Sequence, residues 1–292
     1  MASSPFAKRP RAIIAVDDPR AELVYTPSVR ARLDETFELL PTATADTDVE
    51  VLFTGWGGPI LDASQLAQLP SLKACFHAAG TVRRMIATDE FWRRDIVLSS
   101  AYHANAEPVA EFCHSLIILL LKGAFPAQQH NGFVPHGIYG ATIGLVSYGT
   151  IARLLRAKLH SLHARVLVYD PFLSAAEAAA QGVEPMELPQ LLATAQIVSL
   201  HTPLLPETHH LIGESQLRLL RRHTCLINTA RGAIVDTDAL VRVLAGQPDL
   251  FACLDVTDPE PLPADSPEEA QRYLHGHPLK WRISAEAAKR MA

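Results

Sequence analysis

The sequence predicts an α/β protein with two doubly wound parallel-sheet domains. Three observations predict it: short β-branched runs recur along the chain, helical patterns lie between them, and the rhythm breaks once near the middle and then restarts. Runs that are apolar throughout, rather than alternating, belong to sheets covered on both faces. In the first third the strand candidates are Ala12–Val16, Val49–Phe53, Ala74–His77 and Asp95–Ser99, with helices over Ser28–Leu39 and Ala63–Leu69. These make one small flavodoxin-like domain. From Pro108 to Phe125 the residues Val109, Ala110, Phe112, Cys113, Leu116, Ile117, Leu119 and Leu120 are apolar nearly all round a helix, which predicts burial on every side at a packing or subunit interface. Residues 123–140 carry Gly, Pro and polar residues without a period and read as a connection. The strands Thr142–Val146, Arg165–Tyr169, Ile197–His201, Thr224–Asn228 and Phe251–Asp255 then form a second, Rossmann-type sheet. The last segment, Asp265–Ala292, is polar and poorly patterned.

Composition narrows the function. The chain has 292 residues, 48% of them hydrophobic and 20% charged, enough for a large core and for one large or two medium domains. A net charge of −5 provides no general attraction to nucleic acid or anionic lipid, so neither is an expected partner. Cys75, Cys113, Cys225 and Cys253 each sit in apolar runs with no CxxC spacing, which predicts buried free thiols in a reducing compartment. The run Ala12–Val16 is too short for a signal-peptide core, and Leu116–Leu121 falls well below a bilayer span. A soluble cytoplasmic protein is expected.

Chemistry enters at Ile143–Ala152, where an apolar strand runs into Ser147-Tyr-Gly149-Thr-Ile-Ala152 and then a helical pattern. A dinucleotide site needs such a turn, because backbone N–H groups must approach the pyrophosphate and the helix N-terminus adds positive potential. The glycine fingerprint stands here as SxGxxA: Gly149 keeps the close-approach position, and the turn residues Tyr148, Thr150 and Ile151 flank it. Asp170 ends the next strand at the separation of about 20 residues expected of an acid that bonds the adenosine ribose. An acid there repels a 2′-phosphate, which favours NAD over NADP. An ordinary crossover whose Asp caps a helix, or a methyltransferase turn, shares these features, so the reaction must be read elsewhere.

Three further segments follow or end strands: Ile197 to Thr208 (IVSLHTPLLPET), Leu226 to Asp236 (LINTARGAIVD) and Leu254 to Pro261 (LDVTDPEP). With the fingerprint, and with Phe76 to Thr81 and Asn105 to Phe112, this ordered series resembles the D-isomer-specific 2-hydroxyacid dehydrogenases over about residues 11–267. The resemblance implies an NAD-dependent oxidoreductase that moves a hydride between nicotinamide and a small 2-hydroxy or 2-keto acid. It implies that Arg231 binds the substrate carboxylate and polarises the keto oxygen, and that Glu260 holds and raises the pKa of a catalytic histidine. By the same resemblance Asp255 bonds the nicotinamide carboxamide, and Thr229 and Ala230 line the nicotinamide ribose. Thr202, Pro203 and Thr208 belong to the loop under the adenine side, and the amides of Gly80 and Thr81 receive the substrate carboxylate. A homodimer through the apolar helix is implied too.

The chain departs from the family pattern after Asp265, where no Pro-His turn follows; His275 and His277 are the nearest candidates for the proton donor. The alternative function is therefore a catalytically impaired NAD-binding sensor or partner-binding protein. His275-Gly-His277 and His209-His210 are each half a metal site, but no third ligand stands at a fitting sequence spacing, so no metal is expected. The absence of a Tyr with Lys four residues on, and of a GxSxG elbow, argues against a short-chain dehydrogenase and a hydrolase. The expected domains are 1–106, completed by the tail 280–292, for substrate, and 107–279 for NAD. Side chains near Trp56, Ala79 and Thr81 would set which acid is used.

Overall fold

The computed structural model describes residues 8–19, 21–41, 48–83, 85–125, 135, 137–247 and 249–259. Glu260, His275, His277, the tail 280–292 and most of the connection 123–140 lie outside the described residues. The chain divides into two compact units, Met1–Ala106 and Glu107–Ala292.

In the first unit the strands β1 (Arg11–Ala15), β2 (Glu38–Leu40), β3 (Val51–Thr54), β4 (Ala74–His77) and β5 (Val97–Ser100) form a parallel sheet in the order β2-β1-β3-β4-β5. That is the flavodoxin-like order. Strand β2 corrects the expected helix over Ser28–Leu39, which ends at Thr36. Phe37 is already extended, its ring packs edge-on against Phe53 at 5.1 Å, and Glu38 pairs with Arg11. Burial of one aromatic ring and the pairing of an open sheet edge outweigh the helical spacing. Residues such as Leu52, Leu66, Cys75 and Phe91 fill one face of this sheet, and Tyr25, Val51 and Phe53 the other.

The second unit holds β6 (Thr142–Val146), β7 (Arg165–Tyr169), β8 (Glu184–Pro185), β9 (Ile197–Leu200), β10 (Cys225–Asn228) and β11 (Phe251–Leu254). The order β11-β10-β9-β6-β7-β8 is parallel throughout. Counted from β6 as the first strand this is the Rossmann order 3-2-1-4-5-6, one strand more than expected. The extra strand β8 is two residues at the sheet edge, too short to leave a periodic pattern, and its proline is tolerated there because an edge needs no donor. Ile143 and Leu145 of β6 face one apolar cluster and Val146 the other, which is why the strand is apolar throughout. Gly144 lies where a Cβ would meet Leu191 Cδ2 at 2.5 Å, so the helix Leu188–Thr194 packs directly on the strand backbone.

The apolar helix spans Tyr102–Leu121, with Pro108 inside it rather than at its start. It is long and apolar enough by length and composition to cross a bilayer, yet Ala110, Cys113, Ile117, Leu120 and Leu121 are core residues of the second unit. Burial on every side is not what the chain shows, since Phe112 and Leu119 are 47% and 44% exposed.

Candidate functional site

Five of the six strands of the second sheet, β6, β7, β9, β10 and β11, deliver a candidate residue at their C-terminal ends, where open α/β sheets bind ligands. Between β6 and β9, where the strand order reverses, the chain makes the turn Ser147-Tyr148-Gly149. Ser147 takes the left-handed conformation, φ +71°, which a glycine would adopt without strain. Two bonds hold it there: its N–H donates to the Tyr169 carbonyl at 2.7 Å, and its hydroxyl donates to Thr202 Oγ1 at 3.1 Å. Thr202, itself buried, donates its hydroxyl to the Val146 carbonyl at 3.2 Å and so ties the ends of β9 and β6 together.

Gly149 caps the helix Thr150–His160 without a side-chain hydrogen bond, so the first-turn amides, Thr150 and Ile151 among them, point out of the helix end with no capping acceptor. A Cβ at Gly149 would meet nothing within 4 Å, and its φ of −78° suits any residue. The fold therefore does not require glycine here; the open space beside the amides is what a bound pyrophosphate requires. Asp170, just after β7, accepts from Tyr148 N–H at 2.7 Å and from Phe172 N–H at 2.8 Å, one bond to each carboxylate oxygen. Each oxygen keeps accepting capacity for ribose hydroxyls while the acid fixes the turn. The Tyr148 ring is buried, and the Arg153 guanidinium lies 4.6 Å from its centroid.

After β9, the segment Pro203–Thr208 is closed by Thr208, whose hydroxyl accepts from Leu205 N–H at 2.7 Å and donates to the Pro203 carbonyl at 2.6 Å. The Thr208 side chain thus holds the loop itself. After β10, Asn228 builds the turn that presents Arg231. Its amide oxygen accepts from Ala230 N–H at 3.1 Å and its amide nitrogen donates to the Arg231 carbonyl at 2.9 Å. Thr229 is buried with its hydroxyl 3.2 Å from Cys113 Sγ. Arg231 is exposed, bonds only the Ala230 carbonyl, and pairs with no carboxylate among the described residues. An always-charged fork with no carboxylate partner among the described residues is a ready carboxylate binder. After β11, Asp255 is anchored through its N–H to the Asn228 carbonyl at 3.0 Å and leaves its carboxylate exposed. The turn at Gly149, Asp170, Arg231 and Asp255 thus line one edge of one sheet; the residues present fit a dinucleotide.

In the first unit Gly80 and Thr81 follow β4. Asn105 Nδ2 lies 3.3 Å from where a Gly80 Cβ would be, and Thr81 Oγ1 accepts from Arg83 N–H at 3.4 Å. His77, at the end of the strand, is buried with its pKa lowered by desolvation, partly offset by a backbone hydrogen bond at Thr81.

Sequence reasoning did not single out Asn228, His201 or Asp258. Asn228 had a signal, an amide closing an apolar strand, which favours an Asx-type turn. Both ring nitrogens of His201 are buried with no partner among the described residues, and burial pushes its pKa down to about 4. The four cysteines are buried and none forms a disulfide, as expected, and burial pushes the Cys75 thiol up to about 12 and Cys253 to about 11, so neither is a nucleophile near neutrality.

Known proteins match this arrangement. Residues 117–274 fit the family model described as D-isomer specific 2-hydroxyacid dehydrogenase, NAD binding domain, which makes NAD the cofactor of the second unit. An (S)-sulfolactate dehydrogenase of Chromohalobacter salexigens is 38% identical over 215 residues, covering 70% of this chain and 69% of that protein. A D-3-phosphoglycerate dehydrogenase of Mycobacterium bovis is 34% identical over 229 residues; the match takes in 74% of this chain and only 43% of the longer relative. Among solved structures, the holo D-mandelate dehydrogenase of Rhodotorula graminis superposes with a TM-score of 0.71 over 87% of this chain and 83% of its own, at 23% identity, a likeness of fold.

Proposed function

This chain belongs to the D-isomer specific 2-hydroxyacid dehydrogenase family, and we propose that it interconverts a small 2-keto acid and the D-2-hydroxy acid with NADH and NAD. The observation that carries this reading is Arg231, which pairs with no carboxylate among the described residues, on the same sheet edge as the open Gly149 cradle and Asp170. NADH, when bound, supplies the hydride to the substrate carbonyl carbon. The chain's residues do the rest. Asp170 and the amides of Gly149 to Ile151 anchor the dinucleotide, while Thr202, Pro203 and Thr208 shape the floor of its adenine side. Thr229, Ala230 and Asp255 orient the nicotinamide end, and Arg231 grips the carboxylate and stabilises the charge growing on the keto oxygen. The amides of Gly80 and Thr81 receive the substrate carboxylate, and Glu260 holds a histidine, His275 or His277, that donates the proton to that oxygen.

The proposed division of labour gives residues 1–106 and the tail 280–292 to the substrate and 107–279 to NAD. Trp56, Ala79 and Thr81 select the substrate side chain. The half-exposed Phe112 and Leu119 support a homodimer through the helix Tyr102–Leu121. The net charge of −5 supports a chain that engages neither nucleic acid nor an anionic membrane surface, and four cysteines in apolar runs without CxxC spacing support a cytoplasmic location.

The test is NADH oxidation by the purified chain against glyoxylate, hydroxypyruvate, pyruvate and bulkier 2-keto acids. Steady turnover on at least one is expected, with Arg231→Ala lowering kcat/KM by about 10²–10³-fold while NADH binding, read by fluorescence, persists. Loss of NADH binding in that variant would contradict the assigned role, and a folded wild type with no turnover on any acid would overturn the dehydrogenase reading.

A further inference from the structure

His209 and His210 are adjacent in a loop, and neighbours in extended chain point to opposite sides. Here they do not. His209 is extended, φ −63° and ψ 124°, but His210 takes the left-handed conformation, φ +52°, and the two rings stack with centroids 3.9 Å apart at 27°. A left-handed histidine carries a conformational cost that its surroundings must hold in place, and such residues cluster at functional sites. The restraint is visible: His210 N–H donates to the Ala233 carbonyl at 2.8 Å.

The same stretch delivers a third group. Gly232 has no Cβ because one would strike the Thr257 carbonyl oxygen at 1.9 Å and Asp258 N at 2.6 Å, so the Thr257–Asp258 peptide lies flat against it. Residues 232–233 thereby hold His210 on one side and Asp258 on the other. One donor atom from each of His209, His210 and Asp258 lies within 4.8 Å of the others, and all three residues are exposed.

We propose that His209, His210 and Asp258 form a binding site for a divalent transition-metal ion, zinc being the best match. Two imidazoles and one carboxylate suit zinc or its first-row neighbours and not magnesium or calcium, which take oxygen ligands. Bonds of about 2.0–2.2 Å place tetrahedral ligands roughly 3.3 Å apart, so closure needs only side-chain rotation at exposed positions. Three protein ligands leave a fourth position for water. A bound ion would clasp the loop that follows Thr208 to the loop that follows Asp255. The site is independent of the dehydrogenase reading, because its ligands are none of the residues assigned to cofactor or substrate.

The experiment is zinc binding to chelator-stripped protein, measured by calorimetry and by competition with a chromophoric chelator, with thermal stability followed in parallel. One zinc per chain is expected at micromolar affinity or tighter, with a rise in Tm. His209→Ala, His210→Ala and the near-isosteric Asp258→Asn should each weaken binding at least tenfold and abolish the rise in Tm, with circular dichroism showing an unchanged fold. A His275→Ala/His277→Ala double variant, which removes another closely spaced histidine pair in the sequence, should bind zinc as the parent does. Binding that survives Asp258→Asn undiminished, or that disappears in the His275/His277 variant instead, would overturn the proposal.

Discussion

At the scale of single residues, the turn after β6 shows how a substitution is accommodated. Ser147 occupies a left-handed position that costs a non-glycine residue about 1 kcal/mol or more. Its hydroxyl recovers part of that through the bond to Thr202. The two effects separate in a pair of variants. Ser147→Ala keeps the backbone cost and loses the hydrogen bond, whereas Ser147→Gly loses the bond but removes the cost. Urea unfolding should find the glycine variant more stable than the alanine variant by about 1 kcal/mol; equal stabilities would mean that the backbone there is unstrained. Asp170 carries a related lesson. Spacing along the sequence pointed to it as a candidate ribose acid, but not to the bonds by which its two oxygens fix Tyr148 and Phe172.

At the scale of elements, two glycines at the same sheet edge behave oppositely. Around Gly149 there is open space and an ordinary φ, so an added methyl meets no protein atom. Gly149→Ala should therefore fold with a loss of at most about 1 kcal/mol, from the poorer helix cap, while its NADH affinity drops at least tenfold. Around Gly232 the backbone of Thr257 and Asp258 leaves no room, and backbone cannot rotate aside as a side chain does. Gly232→Ala should displace the loop after β11, lower Tm by several degrees and weaken activity together with it. Melting curves and NADH titrations on the two variants decide this, and an unaltered NADH affinity in Gly149→Ala would place the pyrophosphate elsewhere. The sequence motif pointed to Gly149 directly. It could not point to Gly232 as a packing position, because the chain that crowds it is brought there by the pairing of β10 with β11.

At the scale of the whole molecule, buried histidines make stability depend on pH. The folded chain keeps His201 neutral down to about pH 4, whereas an exposed histidine takes up its proton near 6.5. Between those values the unfolded chain binds more protons, so falling pH favours unfolding, by at most about 3 kcal/mol from this residue. Burial lowers the pKa of His77 and His114 as well, and both act in the same direction. The carboxylates held low by arginines, Glu184 and Glu214, lose their contribution only at more acid pH. Denaturant unfolding should show a clear loss of stability from pH 7 to pH 5, reduced in His201→Leu; a flat profile in the parent chain would mean that water reaches the ring.

The sequence by itself determined the two parallel sheets, the strand, turn and helix around Gly149, and the acid at Asp170, because each depends on residues within about twenty positions. It also marked Arg231, through the resemblance of the segment Leu226 to Asp236 to the family pattern. Only the tertiary structure decided that Phe37 leaves the helix for β2, that β8 extends the sheet, and that Phe112 and Leu119 face outward. It alone brought Asp258 to His209 and His210. Those outcomes turn on which strands lie side by side and which backbones touch. Neither is written in local periodicity.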